Sequence, residues 1–341
     1  MNNNQPLVSV ITPCFNGEKF LKNYLDSLLH QQYKNYEFFI VNDGSTDNSE
    51  EIILSYRNLF ERNGNKFFYY KTKNSGQAAA INIALKDIRG KYLIWLDCDD
   101  IIYPENIEQK VNFLESHNEF AFVMCQARCI NEYGEKLYLI GDRWDKQRNF
   151  FEDLIFEHNV FFAPCMYMVK TDALFSVMHD KQIKESPVGQ NWQLLLPMSF
   201  SYKCGYIDKV LCDYLVHSES HSHSQNTYFK ALTHYNNQKA LLQYLVNDIL
   251  KDVVYKKTLS AKIEEKYMHR RLVCAWKFFK NNDFQREFYL LKHLKKLTRK
   301  EIILWIINKT IILKLLYFLL KLLWHLKNKI LNLLYVYYYG Y

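Results

Sequence analysis

Over the first hundred residues, dense apolar runs alternate with segments whose apolar positions recur every three or four residues. Leu7-Val8-Ser9-Val10-Ile11 reads as a buried strand, and Tyr36-Glu37-Phe38-Phe39-Ile40-Val41 as a second. Phe67-Phe68-Tyr69-Tyr70 and Tyr92-Leu93-Ile94-Trp95-Leu96 give two more. Between them the spacing predicts helices near 18–31, 47–62 and 76–88. Thr46 or Asp47 suits the N-cap of the second helix, with Glu50 and Glu51 favourable in its first turn. Strands alternating with helices predict a parallel, doubly wound α/β sheet.

The rhythm changes after residue 104. Pro104 opens a helix to about 117, Phe120-Ala121-Phe122-Val123-Met124 is strand-like, and Asn131-Glu132-Tyr133-Gly134 is a turn. The region 135–225 mixes short helices and strands. From Tyr228 onward there is no Pro, and no Gly before Gly340, so the pattern predicts helices throughout.

Composition narrows the class. With 49% hydrophobic and 23% charged residues the chain can bury a sizeable core, which excludes global disorder. The net charge of +8 comes without a basic stripe, so nucleic acid is not an expected partner. Cys125 and Cys129 are the closest of the eight cysteines, and no His or Cys flanks them at zinc-like spacing; free thiols in a reducing compartment are the expectation. Met1-Asn2-Asn3-Asn4-Gln5-Pro6 lacks the charged and apolar regions of a signal peptide, which points to a cytoplasmic location.

The chemistry concentrates at Leu96-Asp97-Cys98-Asp99-Asp100, directly after an apolar run. A buried strand ending in carboxylates delivers them to the carboxyl edge of the sheet, where open α/β folds bind ligands. Carboxylates gathered there suit a hard divalent cation, whose natural cargo is a diphosphate. Asp100 also reads as a cap for the helix beginning near Pro104. Two polar loops follow the first two strands, Thr12-Pro13-Cys14-Phe15-Asn16-Gly17-Glu18 and Asn42-Asp43-Gly44-Ser45-Thr46-Asp47. Lys73-Asn74-Ser75-Gly76 adds a third loop at the same edge, leading into a helix N-terminus that favours anions.

In this order and spacing the chain resembles glycosyltransferase family 2. The carriers are Val8-Ser9-Val10-Ile11-Thr12-Pro13 with Asn16, Val41 to Asp47, Asn74-Ser75-Gly76 with Asn82, and Leu96 to Asp100. The resemblance, over residues 6–225, implies an inverting enzyme with the GT-A fold, Rossmann-like with a mostly parallel sheet flanked by helices. It also implies a nucleotide-diphosphate sugar donor and Mn²⁺ or Mg²⁺. Asp99 would ligate the metal, and Asp97 would contact the ribose or the metal's surroundings. Asp43 would bind the nucleobase, with Thr12, Pro13 and Glu18 lining the same pocket and Gly76 at the nucleotide. A His or Arg downstream contacts the metal or diphosphate in the family, which favours His217 over His221 and His223.

One departure stands out. The family supplies its catalytic base from an acidic pair before a Trp, and here Gln190-Asn191-Trp192 occupies that place. An amide cannot take a proton near neutral pH. Glu185 or Asp180 would then serve as base, or Asn191 and Gln190 would only orient the acceptor, or the protein would bind a sugar nucleotide without transferring it. Trp192 offers an aromatic face for a sugar. The Gly-rich turn of a dinucleotide-binding enzyme and a P-loop are both missing, and a haloacid-type phosphatase would place its acidic motif after the first strand.

Residues 301–341 are rich in Leu, Ile and Tyr, with a narrow polar stripe of Thr310, Lys314, Lys321, His325, Asn328 and Asn332. No apolar run reaches the ~20 residues of a membrane span. A basic amphipathic helix lying on a membrane is the favoured reading, with packing on another subunit as its competitor. The expected organisation is therefore a GT-A domain over 1–227, a helical region over 228–300 and a membrane-associated helix over 301–341. The acceptor would be lipid-linked or an oligosaccharide, met peripherally on the inner face of the membrane.

Overall fold

The computed structural model describes residues 5–142, 149–158, 160, 163–178, 180–217 and 227–309. Contacts divide the chain into two compact units, Met1–Ser224 with Asn237–Ile263, and Gln225–Asn236 with Glu264–Tyr341. The helical region expected over 228–300 is thus shared between the units.

The first unit is built on one sheet. The four expected strands are β1 (Val8–Cys14), β2 (Tyr36–Asp43), β3 (Lys66–Thr72) and β4 (Tyr92–Trp95), with helices α1 (Glu18–Leu29), α2 (Ser49–Arg62) and α3 (Gln77–Leu85) between them. β1 lies between β2 and β4 and runs parallel to both, and β3 continues the parallel half beyond β2. Every residue of β1 and β2 is buried, which accounts for their dense apolar runs.

The second half of the sheet is mixed. β5 (Ile101–Ile102), α4 (Asn106–Ser116), β6 (Phe120–Ile130), β7 (Lys136–Ile140), α5 (Phe150–Phe156), β8 (Tyr167–Lys170), α6 (Thr171–Val177), α7 (Gln190–Ser201) and β9 (Lys203–Leu215) follow. The strand order is β3-β2-β1-β4-β8-β6-β9-β5, with β7 paired to β6. β8 is antiparallel to both β4 and β6, whereas β6 and β9 are parallel. The parallel arrangement read from the alternation over the first hundred residues is that of β1 to β4. A short strand such as β8, entered from a single 3-10 turn at Pro164–Met166, needs no crossover helix and can run back against β4.

Two local readings are corrected. Asn48, rather than Thr46 or Asp47, occupies the N-cap position of α2 without a side-chain cap bond, and Asp47 Oδ1 accepts from Ser49 N at 3.0 Å. Asp100 does not cap the next helix: α4 begins behind Glu105, and the Asp100 side chain is wholly buried.

The second unit is helical. It holds the first part of α8 (Tyr228–Ile249), the later part of α9 (Val253–Lys277), α10 (Asn281–His293) and α11 (Arg299–Lys309). Its core gathers Leu272, Ala275, Phe284, Phe288 and Leu291. Buried Glu287 is held by Arg271 at 3.1 Å, and buried Glu301 is bonded to His269 and caps Thr298 N at 2.8 Å. Among the described residues no helix is long and apolar enough to cross a membrane. The polar stripe from Thr310 onward lies outside them, as do His221 and His223.

Candidate active site

The carboxyl ends of β1, β2 and β4 share one edge, and the loops that leave them are laced together. Asn16 Oδ1 accepts from Thr46 N at 2.8 Å, and Asn16 N donates to Ser45 Oγ at 3.0 Å. Glu18 Oε2 accepts from Asn48 N at 2.8 Å while Asp47 Oδ2 accepts from Glu18 N at 3.1 Å. Each carboxylate thus satisfies an amide at the start of the other's helix, where such donors have no partner within the helix. Thr12 and Pro13 are buried below this lacing, and the Thr12 hydroxyl is bonded to that of Tyr24. Phe15, at the tip of the first loop, is 44% exposed.

Asp43 ends β2 with both oxygens engaged. Ser75 N donates to Oδ1 and Gly76 N to Oδ2, each at 2.8 Å. This clamp fixes the loop that starts α3, whose Gly76 adopts φ +91°, a backbone conformation that side chains resist. At Gly44 an added Cβ would lie 2.6 Å from Asn74 N, so the two loops meet backbone to backbone.

The acidic triplet spreads in three directions. Asp97 accepts on Oδ1 from Gln77 Nε2 at 2.5 Å. Burial, reinforced by the charge of Asp99, pushes its carboxyl up to about 7. Asp99 Oδ2 lies 2.9 Å from His217 Nε2. Asp100 points into the core, and burial together with Asp99 and Asp97 drives its carboxyl well above the usual range. Cys98 sits beside Cys14 under Gly17, where an added Cβ would lie 3.0 and 3.1 Å from the two sulfurs. Their hydrogen bond lowers the Cys14 thiol and raises that of Cys98.

The meeting of Asp99 with His217 follows from the topology. β5, immediately after the triplet, pairs antiparallel with β9 through Ile101 and Asp213. Continuing that register backwards carries Asp99 toward the end of β9, and His217 lies two residues past that end. The imidazole is buried, with its ring centroid 4.5 Å from that of Phe20.

The amide pair sits at the start of α7, which opens at Gly189 with φ +74°. Gln190 Nε2 donates to Gln77 Oε1 at 2.5 Å, and Asn191 Oδ1 accepts from Trp95 Nε1 at 2.7 Å. Trp192 is not an open sugar platform: it is 3% exposed, and its indole N–H donates to Leu154 O at 2.9 Å. The aromatic face expected for a sugar needs an open ring, but burial of the indole and its polar tip removes it from solvent. Glu185 and Asp180 are exposed in the approach to α7. Gln77 carries no sequence motif; only its place at the start of α3, after the Gly76 turn, marks it.

Among the described residues no three His, Cys, Asp or Glu side chains form a cluster able to hold a metal alone. The pair Asp99 and His217 still fits a cation shared with a ligand. Mg²⁺-type ions are held by one or two carboxylates and completed by substrate phosphates and water. Asp99 would supply the carboxylate, with the His217 imidazole nitrogen 2.9 Å away as a second donor.

Comparison with known proteins agrees with this architecture. Residues 9–175, just under half of the chain, match the family model of Glycosyl transferase family 2. Over 150 residues it is 37% identical to an uncharacterized glycosyltransferase of Rickettsia typhi, covering 43% of this chain and 45% of the relative. It is also 37% identical over 114 residues to the putative teichuronic acid biosynthesis glycosyltransferase TuaG of Bacillus subtilis, covering 33% of this chain and 44% of TuaG. The chain thus spans less than half the length of these relatives. The crystal structure of S. aureus TarS in complex with UDP-GlcNAc matches with a TM-score of 0.58 at 18% identity, over 80% of this chain and 81% of that one. The mannosyltransferase PcManGT from Pyrobaculum calidifontis, in complex with GDP-Man and Mn²⁺, matches with a TM-score of 0.56 at 14% identity, over 90% and 80%. These structural likenesses establish the GT-A fold.

Proposed function

We propose that this glycosyltransferase domain moves a hexosyl or N-acetylhexosaminyl group from a nucleotide-diphosphate donor to a glycan acceptor in cell-surface polysaccharide synthesis, with inversion. The observation that carries the reading is the Asp99–His217 pair at the carboxyl edge of the sheet, beside the laced loops of β1 and β2. Asp99 and His217 would hold Mn²⁺ or Mg²⁺, which when bound neutralises charge on the leaving diphosphate. Asp97 faces the donor, and Glu18, Asp43 and Gly76 shape the base and ribose side, Asp43 by holding the loop at Ser75 and Gly76. Thr12 and Pro13 form the floor of that pocket. The bound UDP-GlcNAc of TarS and GDP-Man of PcManGT support a sugar-nucleotide donor, and the likeness to TuaG, named for teichuronic acid biosynthesis, supports a surface polymer.

The acceptor hydroxyl needs a base, and Gln190 and Asn191 cannot supply one. Glu185, exposed just before α7, is the carboxylate assigned to that role, with Gln190 orienting the acceptor. A lipid-linked acceptor fits a peripheral position on the inner face of a membrane. The exposed Ile302, Ile303 and Ile306 of α11 support contact with a membrane. Sedimentation with anionic vesicles should be lost on truncation after residue 300, and a truncated chain that still sediments would sink the assignment.

A second reading is favoured by the engagement of Asn191 with Trp95: the domain binds a sugar nucleotide without transferring it. Release of nucleotide from UDP-GlcNAc and GDP-mannose with Mn²⁺ separates the two. Turnover that falls in Asp99→Ala and Glu185→Gln supports the transferase. Binding without turnover supports the second reading, and full activity in Asp99→Ala would overturn the metal assignment.

A further inference from the structure

Two helices begin at the same spot. Gln77 is the first residue of α3 and Gln190 the first of α7, and Asp97 lies where they meet. The frame behind them is firm. Asn82 of α3 clamps Ile183 with bonds of 2.7 and 2.8 Å, and Gln193 of α7 clamps Lys184 with bonds of 2.6 and 2.9 Å. Adjacent residues of one loop are therefore gripped by both helices, which fixes their first residues relative to each other.

The hydrogen bonds through Gln77 have a direction. Asp97 Oδ1 accepts from Gln77 Nε2, which commits the Gln77 carbonyl to the opposite side. That carbonyl needs a donor, and Gln190 Nε2 provides it. An ionised glutamate has no proton to donate. At position 190 it would face the Gln77 oxygen, and turning the Gln77 amide over would withdraw the N–H from Asp97.

We propose that Gln77 is a positioning residue, holding Asp97 of the donor side and Gln190 of the acceptor side in one directed line of hydrogen bonds. The amide at 190 is then matched to the amide at 77 and is not simply a lost acid. The assignment of sides rests on the glycosyltransferase reading. The line explains how a change on α7 reaches the donor carboxylate without touching it.

The test uses the full chain and two readouts. Calorimetry with UDP and with GDP, each with Mn²⁺, identifies the nucleotide bound. For that nucleotide Gln190→Glu should weaken binding about fivefold, and Gln77→Ala by a similar factor. In the Gln77→Ala background, adding Gln190→Glu should have no further effect. An equal loss in both backgrounds, or no loss in Gln190→Glu alone, would overturn the proposal. Side-chain amide resonances of ¹⁵N-glutamine-labelled protein decide the line separately. The Gln77 signals should shift in both Asp97→Asn and Gln190→Glu, and signals that stay in place in either overturn it. Binding of neither nucleotide would defeat the functional reading, while the resonances would still decide the line.

Discussion

The indole N–H of Trp95 donates to Asn191 Oδ1 at 2.7 Å, joining the last residue of β4 to the first turn of α7. Both residues are buried, so the bond stands in for water that neither group can reach. Removing the acceptor leaves the indole N–H unsatisfied, a loss of about 1–3 kcal/mol. Asn191→Ala should be destabilised by that amount in urea unfolding, and Asn191→Asp, which keeps an acceptor, by clearly less. Equal stability of Asn191→Ala and the parent chain would show that the bond contributes nothing.

Asp47 sits low in its titration for a local reason. Burial raises its carboxyl, but hydrogen bonds from the Ser49 hydroxyl and from the amides of Glu18 and Ser49 outweigh that and lower it below the ordinary 3.8. A depressed folded-state value contributes stability that is present above the unfolded value and lost as pH falls through the folded one. Parent protein should therefore lose stability as pH drops below about 4, and Asp47→Asn should lose less over that window. Parallel pH profiles of the unfolding midpoint would rule the contribution out.

At the opposite end of the sheet Glu37 is fully buried. Its Oε1 accepts from Ser9 Oγ at 2.6 Å and Arg89 N at 2.7 Å, and Ser9 Oγ in turn accepts from Gly90 N at 2.9 Å. This polar knot brings the turn before β4 against β1. A Cβ on Gly90 would fall 2.4 Å from Ser9 N and 2.7 Å from Tyr92 O, both backbone atoms within a paired ladder. Gly90→Ala should cost about 3 kcal/mol or more, and Glu37→Ala about 2–3 kcal/mol. Thermal unfolding measures both, and a Gly90→Ala protein melting with the parent would contradict the contact.

Legibility in the sequence followed burial. β1, β2 and β4 announce themselves because both faces of each are covered, and their polar loops align once the strands are parallel. β5 was beyond reach: two residues carry no period, yet its pairing with β9 is what brings His217 to Asp99. Asp99 and His217 were expected at one site from the family pattern, and the structure juxtaposes them. Trp192 misled because side-chain type does not reveal whether a ring is covered. Gln77 stayed invisible because its importance lies in two tertiary partners, Asp97 and Gln190, remote in sequence.

His217 provides the sharpest test of the donor site. Its Nε2 lies 2.9 Å from Asp99 Oδ2, and its ring is packed beside Phe20. Truncation to alanine would open a cavity there and confuse loss of a ligand with loss of packing. His217→Gln keeps much of the volume and a hydrogen-bonding tip while removing the imidazole. If His217 shares a divalent ion with Asp99, this variant should need more Mn²⁺ to reach half-maximal nucleotide binding, by about tenfold. Its unfolding midpoint measured without metal should stay close to the parent's. Asp99→Asn should show a shift in the same direction, because it removes a ligand of the same ion. An unchanged Mn²⁺ requirement in His217→Gln would leave the imidazole as a packing element and remove it from the metal site.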